Sequence, residues 1–247
     1  MDFQQDETFP WVCLVPVSSC ICFLGIWMNV LSIFVWKRVM RSNKRGNKST
    51  ALYLVGLAYC NIGYLVFFLL VETLPMFSED VINTYLYNVF YSWFGFPALN
   101  TFFIANIWLV LAAVLNRWAL LAYPVRSRDF YTDKMTKLTI AITLLISLLF
   151  SVPNLLKYYP QKVNTNIYQL QLTKYGSSQA AFNFQFWCHC VFLTIAPLAV
   201  TAFVDWSIIK QFGFKFRPKP KEKVVTLKSL TGKYPHLFLE HELLTFG

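Results

Sequence analysis

At 247 residues, with 56% hydrophobic and 18% aromatic side chains, only 14% charged and a mean hydropathy of +0.46, the chain is too apolar for a soluble domain. Its net charge of +10 does not point to nucleic acid, because the bases gather in three clusters between apolar runs instead of spreading over one face. A membrane protein is the class that remains. The six cysteines, Cys13, Cys20, Cys22, Cys60, Cys188 and Cys190, all fall within apolar segments, so they report no redox compartment and no disulfide framework.

Residues 1–10 carry Asp2, Asp6 and Glu7 and no base, the reverse of a secretory leader's positive start. The first apolar run, 11–36, is therefore expected to stay in the protein as its own signal-anchor. Lys37, Arg38, Arg41, Lys44, Arg45 and Lys48 follow it, which places that loop in the cytosol and residues 1–10 outside. A second uncharged run, 49–71, ends at Glu72-Thr73-Leu74-Pro75, where the proline predicts a helix end. Residues 81–97, uncharged but rich in Tyr, Phe, Trp and Asn, read as a headgroup-level aromatic belt leading into the third span rather than as a span of their own.

The third span, 97–121, is charge-free until Arg117. At about 100° per residue, Leu99, Phe103, Asn106, Val110 and Arg117 share one face. That face is expected to turn toward other helices, since a polar group turned to lipid costs free energy. Arg126, Arg128, Lys134 and Lys137 bring the next loop back to the cytosol. The fourth run, 138–156, carries Pro153, which should kink or end it, and 157–179 reads as a polar extracellular loop. The fifth, 182–209, holds Pro197 near its middle and Asp205 toward the cytosolic side. Lys210 and seven further bases crowd the end of that run and the rest, 213–247, which also carries Pro218 and Pro220, and no apolar run there approaches the roughly 20 residues a spanning helix needs. Six, five and eight bases thus fall inside and three outside. Five crossings put the C-terminus in the cytosol. The protein is expected in the plasma membrane, with retention in the endoplasmic reticulum as the alternative.

Leu115-Asn116-Arg117-Trp118, followed by Pro124, resembles the Asp/Glu-Arg-Tyr motif and trailing proline of rhodopsin-like G-protein-coupled receptors, with Asn in place of the acid and Trp in place of Tyr. Asn29 resembles the asparagine of the family's first helix. Leu57-Ala58-Tyr59-Cys60-Asn61 resembles the Leu-Ala-x-x-Asp of its second, and Pro197, 80 residues after Arg117, the proline of its fifth. Pro153 fits the outer end of the fourth. The chain departs from the pattern as well: no Cys stands near Ser92 or in 157–179, the fourth helix has no tryptophan, and nothing resembles the sixth and seventh helices. The resemblance covers 11–212. It implies an all-α polytopic helical membrane bundle, the first five helices of a seven-helix receptor, with the tail substituted through splicing, gene damage or gene-model error. The second and third helices resemble FMRFamide-like neuropeptide receptors in general character. The resemblance implies an extracellular ligand, a peptide by that likeness, bound in the outer bundle, and a heterotrimeric G protein that contacts Arg117. Since the family opens its G-protein pocket by moving the sixth helix, conventional signalling is expected to be impaired.

Asp205, eight residues past Pro197 and about 12 Å deeper, reaches the level of Arg117 and could pair with it in place of the missing acid. An interfacial Asp that reaches headgroups or Lys210 is the equal alternative. Asn29, Asn61 and Asn106 suggest a buried polar cluster that joins helices by hydrogen bonds rather than holding a cation. Cys188-His189-Cys190 does not make a metal site, since i and i+2 side chains diverge on a helix. His189, His236 and His241 form no ligand cluster, and no phosphate-cradling loop or nucleophile elbow exists, so neither an enzyme nor a cofactor is expected. Asn47-Lys48-Ser49 is a sequon on the cytosolic side. Phe212 to Arg217 mixes aromatics with bases and suits an anionic bilayer surface; 237–244 suits a short amphipathic helix or plain disorder. Two other functions stay open: a regulatory fragment that forms a heteromer with a full-length receptor, and a small transporter or channel subunit. The latter calls for internal repeats or mid-membrane charges, and the sequence offers neither.

Overall fold

The computed structural model describes residues 8–42, 48–77, 79–123, 132–164 and 167–215. The chain divides into two units, Met1–Ile208 and Ile209–Gly247; the helical bundle belongs to the first, and of the second the described part is helix as far as Lys215. Among the described residues, five helices are long and apolar enough to cross a membrane: span 1 (Val15–Ser42, within the helix Thr8–Ser42), span 2 (Lys48–Phe77), span 3 (Tyr85–Ala122), span 4 (Asp133–Leu155) and span 5 (Gln179–Lys210). Large apolar side chains such as Phe23, Met28, Leu148 and Leu149 are exposed, as lipid contact requires, while Cys60, Ala105 and Leu109 are buried with Leu57, Phe102, Ile140 and Leu144 against them. Span 1 packs on span 2, span 2 on span 3, and span 3 on span 4. Close approach has a requirement at Gly63, where an added Cβ would lie 2.7 Å from the Phe102 ring.

The helix ends follow local chemistry that apolar runs alone do not reveal. Thr132 caps span 4 by accepting from Met135 N (3.4 Å), and Ser178 caps span 5 by accepting from Ala181 N (3.2 Å), so both begin a few residues before their apolar stretches. Pro75 does not end span 2, contrary to expectation. The chain widens into a π-helical turn at Leu69–Thr73 and then runs helically to Phe77. The same device recurs at Tyr91–Gly95 ahead of Pro97 and at Cys188–Ile195 ahead of Pro197. A proline ring crowds the carbonyl four residues back and withholds an N–H, and the wider turn relieves that crowding. In span 2 the carbonyls of Leu70 and Val71, five and four residues before Pro75, both receive the Tyr87 hydroxyl (3.3 and 3.1 Å). Pro153 behaves differently: its helix ends at Leu155, two residues on.

The aromatic segment before the third span is itself helical from Tyr85, continuous with the rest of span 3. The stretch read as a polar loop contains an antiparallel hairpin, β1 (Tyr158–Asn164) and β2 (Ile167–Leu172). It closes near Gly176, where any Cβ would collide with the Lys157 carbonyl. Along span 4, Thr139, Thr143, Ser147 and Ser151 each donate to the carbonyl four residues earlier, so Ser147 and Ser151 can be buried with no partner from another helix.

Candidate functional site

Span 3 carries the residues singled out from the sequence, and three consecutive side chains at its end go three ways. Asn116 is fully buried and bonds to span 2. Its Oδ1 accepts from Ser49 Oγ (3.1 Å) and its Nδ2 donates to Thr50 Oγ1 (3.1 Å). Ser49 also lies 3.0 Å from Thr136 Oγ1, and since the single Ser49 proton goes to Asn116, Thr136 must be the donor there. Three spans are pinned at one point. Trp118 packs against Tyr123 and, on span 5, Phe203, its buried Nε1 without a partner.

Arg117 is exposed. It lines a groove of about 380 Å³ with Trp36, Val39, Thr50, Leu120 and Leu121. Asp205 is exposed on span 5, and among the described residues no ion pair joins it to Arg117. Pro124 and Asn47 lie outside the described residues, as do His236, His241, 237–244 and the side chains of Phe212 to Arg217.

Midway along the bundle, Asn61 Nδ2 donates to Asn29 Oδ1 (3.1 Å). Asn106 does not complete that pair. Its Oδ1 is buried without a partner, and it lines, with Asn61, Val110, Leu193, Pro197, Thr201 and others, a groove of about 470 Å³ between spans 2, 3 and 5. On the face of span 3 expected to turn toward other helices, Leu99 is buried and Phe103 packs on Tyr64 and His189, while Asn106 and Val110 look into this groove, Val110 44% exposed. A second, more tightly packed face is made by Ala105, Leu109, Ala113 and Asn116, whose small members admit neighbouring helices closely. Cys188 is buried, Cys190 half-buried, and His189 stacks on Phe103 at 6.2 Å.

At the hairpin end the Lys157 ammonium donates to Gln185 Oε1 (2.8 Å) and sits over the rings of Phe96 (5.7 Å) and Tyr158 (5.4 Å). Burial pushes the Lys157 pKa down; burial and the nearby Glu72 carboxylate push that of Tyr158 up. Asn88, also fully buried, donates from Nδ2 to the carbonyls of Ile82 (2.6 Å), Thr84 (2.9 Å) and Tyr168 (3.2 Å), while Tyr168 N donates to Asn83 O (3.0 Å). With the Tyr85 and Tyr168 rings 5.1 Å apart, these bonds tie β2 to the start of span 3, where the sequence supplies no disulfide. Ser49, Thr50, Thr136 and Asn88 are functional candidates that sequence reasoning missed. Their only advance signal is a polar side chain at the end of an apolar run.

A family model described as serpentine type 7TM GPCR chemoreceptor Srx matches residues 20–238, running past 212 into the basic tail. A probable G-protein coupled receptor of Caenorhabditis elegans is 23% identical over 225 residues, which cover 87% of this chain and 50% of the relative. Galanin receptor 2a of Danio rerio is 28% identical over 146 residues, 59% of this chain and 38% of the relative. The chain thus spans half the length of the first of these relatives and less of the second.

Proposed function

The chain belongs to the serpentine type 7TM GPCR chemoreceptor Srx family, and from that membership we propose that it senses an extracellular ligand at the hairpin end and engages a heterotrimeric G protein at the end that carries Arg117. The observation that carries this reading is the face of span 3. Phe103 meets His189 on it, Asn106 and Val110 open onto the groove beside span 5, and Arg117 stands exposed at its end. A signal entering at one end would have a continuous path of side chains to the other. The positive-inside distribution of bases supports an outside N-terminus and a cytosolic Arg117.

A peptide ligand is the class we favour. The likeness to a galanin receptor and to FMRFamide-like neuropeptide receptors supports it. So does an outer surface that sets the Lys157 ammonium over the rings of Phe96 and Tyr158, with Tyr158 in turn within reach of the Glu72 charge, groups that complement the mixed charges of a peptide. Five candidate spans are found among the described residues, against seven in the family's description. Coupling by these five alone is expected to be weak. A chain that regulates an intact receptor by pairing with it is the second reading, supported by the open groove along spans 3 and 5.

One experiment separates the two readings: G-protein dissociation measured in cells given peptide pools, with and without a co-expressed intact relative. A ligand-dependent signal that Arg117→Ala abolishes at equal surface level supports the receptor reading. No signal, together with reduced surface expression of the relative, supports the regulatory one. A protein that reaches the surface and does neither would overturn both.

A further inference from the structure

The groove beside Arg117 is sorted by chemistry. Val39, Leu120, Leu121 and the half-buried Trp36 form apolar walls, while its polar groups, the Arg117 guanidinium and the Thr50 hydroxyl, are both donors. Arginine has five N–H groups and no acceptor. Thr50 already accepts from Asn116 Nδ2, so its own proton is free to be given away. Asn116 spends its oxygen on Ser49 and does not compete for an occupant. None of the lining residues is acidic, and Arg38 and Arg41 stand exposed nearby in sequence. A guanidinium exposed at the end of a membrane-crossing helix wants an anionic partner. Neither Asp133 nor Asp205 pairs with it among the described residues.

An occupant that suits such a groove is oxygen-rich and negative at one end and hydrocarbon at the other. Tryptophan at its rim fits the same depth, since indole rings collect where headgroups meet acyl chains. We propose that this groove binds an anionic phospholipid of the adjoining leaflet, its phosphate held by Arg117 and Thr50 and its acyl chain laid between Trp36, Val39, Leu120 and Leu121. The proposal rests on the reading above only for naming that leaflet cytosolic, where anionic lipids are concentrated. The recognition chemistry is the same in either orientation.

The test uses the full chain reconstituted in nanodiscs of phosphatidylcholine with a minor fraction of phosphatidylserine, bound lipid being read by native mass spectrometry. The wild-type protein should retain phosphatidylserine above its share of the disc. Arg117→Gln should cut that enrichment about tenfold, the worth of one charge-assisted hydrogen-bonding site. Lys134→Gln, which removes the same charge at the start of span 4, should leave it intact. Leu121→Trp fills the groove with Arg117 in place, so it carries the test if Arg117→Gln fails to fold, and it too should displace the lipid. No enrichment in the wild-type protein overturns the proposal, and so does equal enrichment in the wild-type and groove-filled proteins, or equal losses for Lys134→Gln and Arg117→Gln. Protease mapping of the termini tests the orientation separately: a reversed result there would remove the cytosolic assignment and leave the lipid measurement standing.

Discussion

The two ends of the bundle are fastened by different means. At the Arg117 end, side chains bond to side chains: Asn116 takes Ser49 and gives to Thr50, and Thr136 closes onto Ser49, so spans 2, 3 and 4 meet through groups 66 to 87 positions apart in sequence. At the hairpin end, Lys157 reaches Gln185, but the buried side chains at the start of span 3 bond to backbone: Asn88 holds three carbonyls and Tyr87 two. A side-chain network is lost with one substitution. A backbone clamp depends on the fold of what it grips, so it fixes loop shape more than helix spacing. Under the proposed function, that division suits a receptor whose ligand-facing end must keep a form while its other end responds.

Breaking the fastening at the Arg117 end should have the largest effect. Asn116→Ala removes both bonds and leaves a small cavity, and we expect a loss of about 2 kcal/mol, read as a lower thermal midpoint in detergent. A midpoint unchanged from the wild type would mean that the network contributes nothing. Asn88→Ala should cost about 1.5 kcal/mol and, more tellingly, speed hydrogen exchange in β2 while sparing span 4. Equal acceleration in both would erase the distinction between the two ends. Tyr87→Phe strands the two carbonyls ahead of Pro75 and should cost about 1 kcal/mol, with faster exchange confined to the Pro75 end of span 2.

The smallest effect is one of pH. Because burial lowers the Lys157 pKa from its ordinary 10.5, the unfolded chain holds that proton more tightly, and stability should rise as pH climbs through the folded value toward 10.5. Tyr158, raised above 10.0, works the other way: the folded chain keeps the phenolic proton, and stability should fall above that pH. Unfolding midpoints followed through the alkaline range should lose the rise in Lys157→Met and the fall in Tyr158→Phe. A profile the same in all three proteins would remove the hairpin end from alkaline titration.

The spans were legible because lipid thickness imposes a length, and nearly any sequence that meets it does so visibly. Their ends were less so. Pro75 reads as a stop, and only the π turn ahead of it and a hydroxyl from another helix let the span continue. Asn29 and Asn61 were readable as a pair of polar residues in apolar runs, and they do bond. Asn106 carries the same signal and has no partner for its oxygen, because which face packs was set by Ala105 and Ala113, not by polarity. The hairpin had a cue that went unused: Gln169 and Gln171 alternate with Leu170 and Leu172, the period of a strand, within a stretch whose overall polarity suggested a loop. Ser49 and Thr136 could not be paired in advance, since nothing local connects residues 87 positions apart.

The hydroxyls of span 4 have a mechanical consequence. Each is already spent on its own helix, so the buried flank at Ser147 and Ser151 is a smooth track with nothing to snap when one rod moves along the next. Among the described residues, Thr136 is the hydroxyl of that span that rivets it to another helix. A push along the axis of that rod would be carried whole to its far end and felt there, at the helix start beside Arg117's neighbour Asn116.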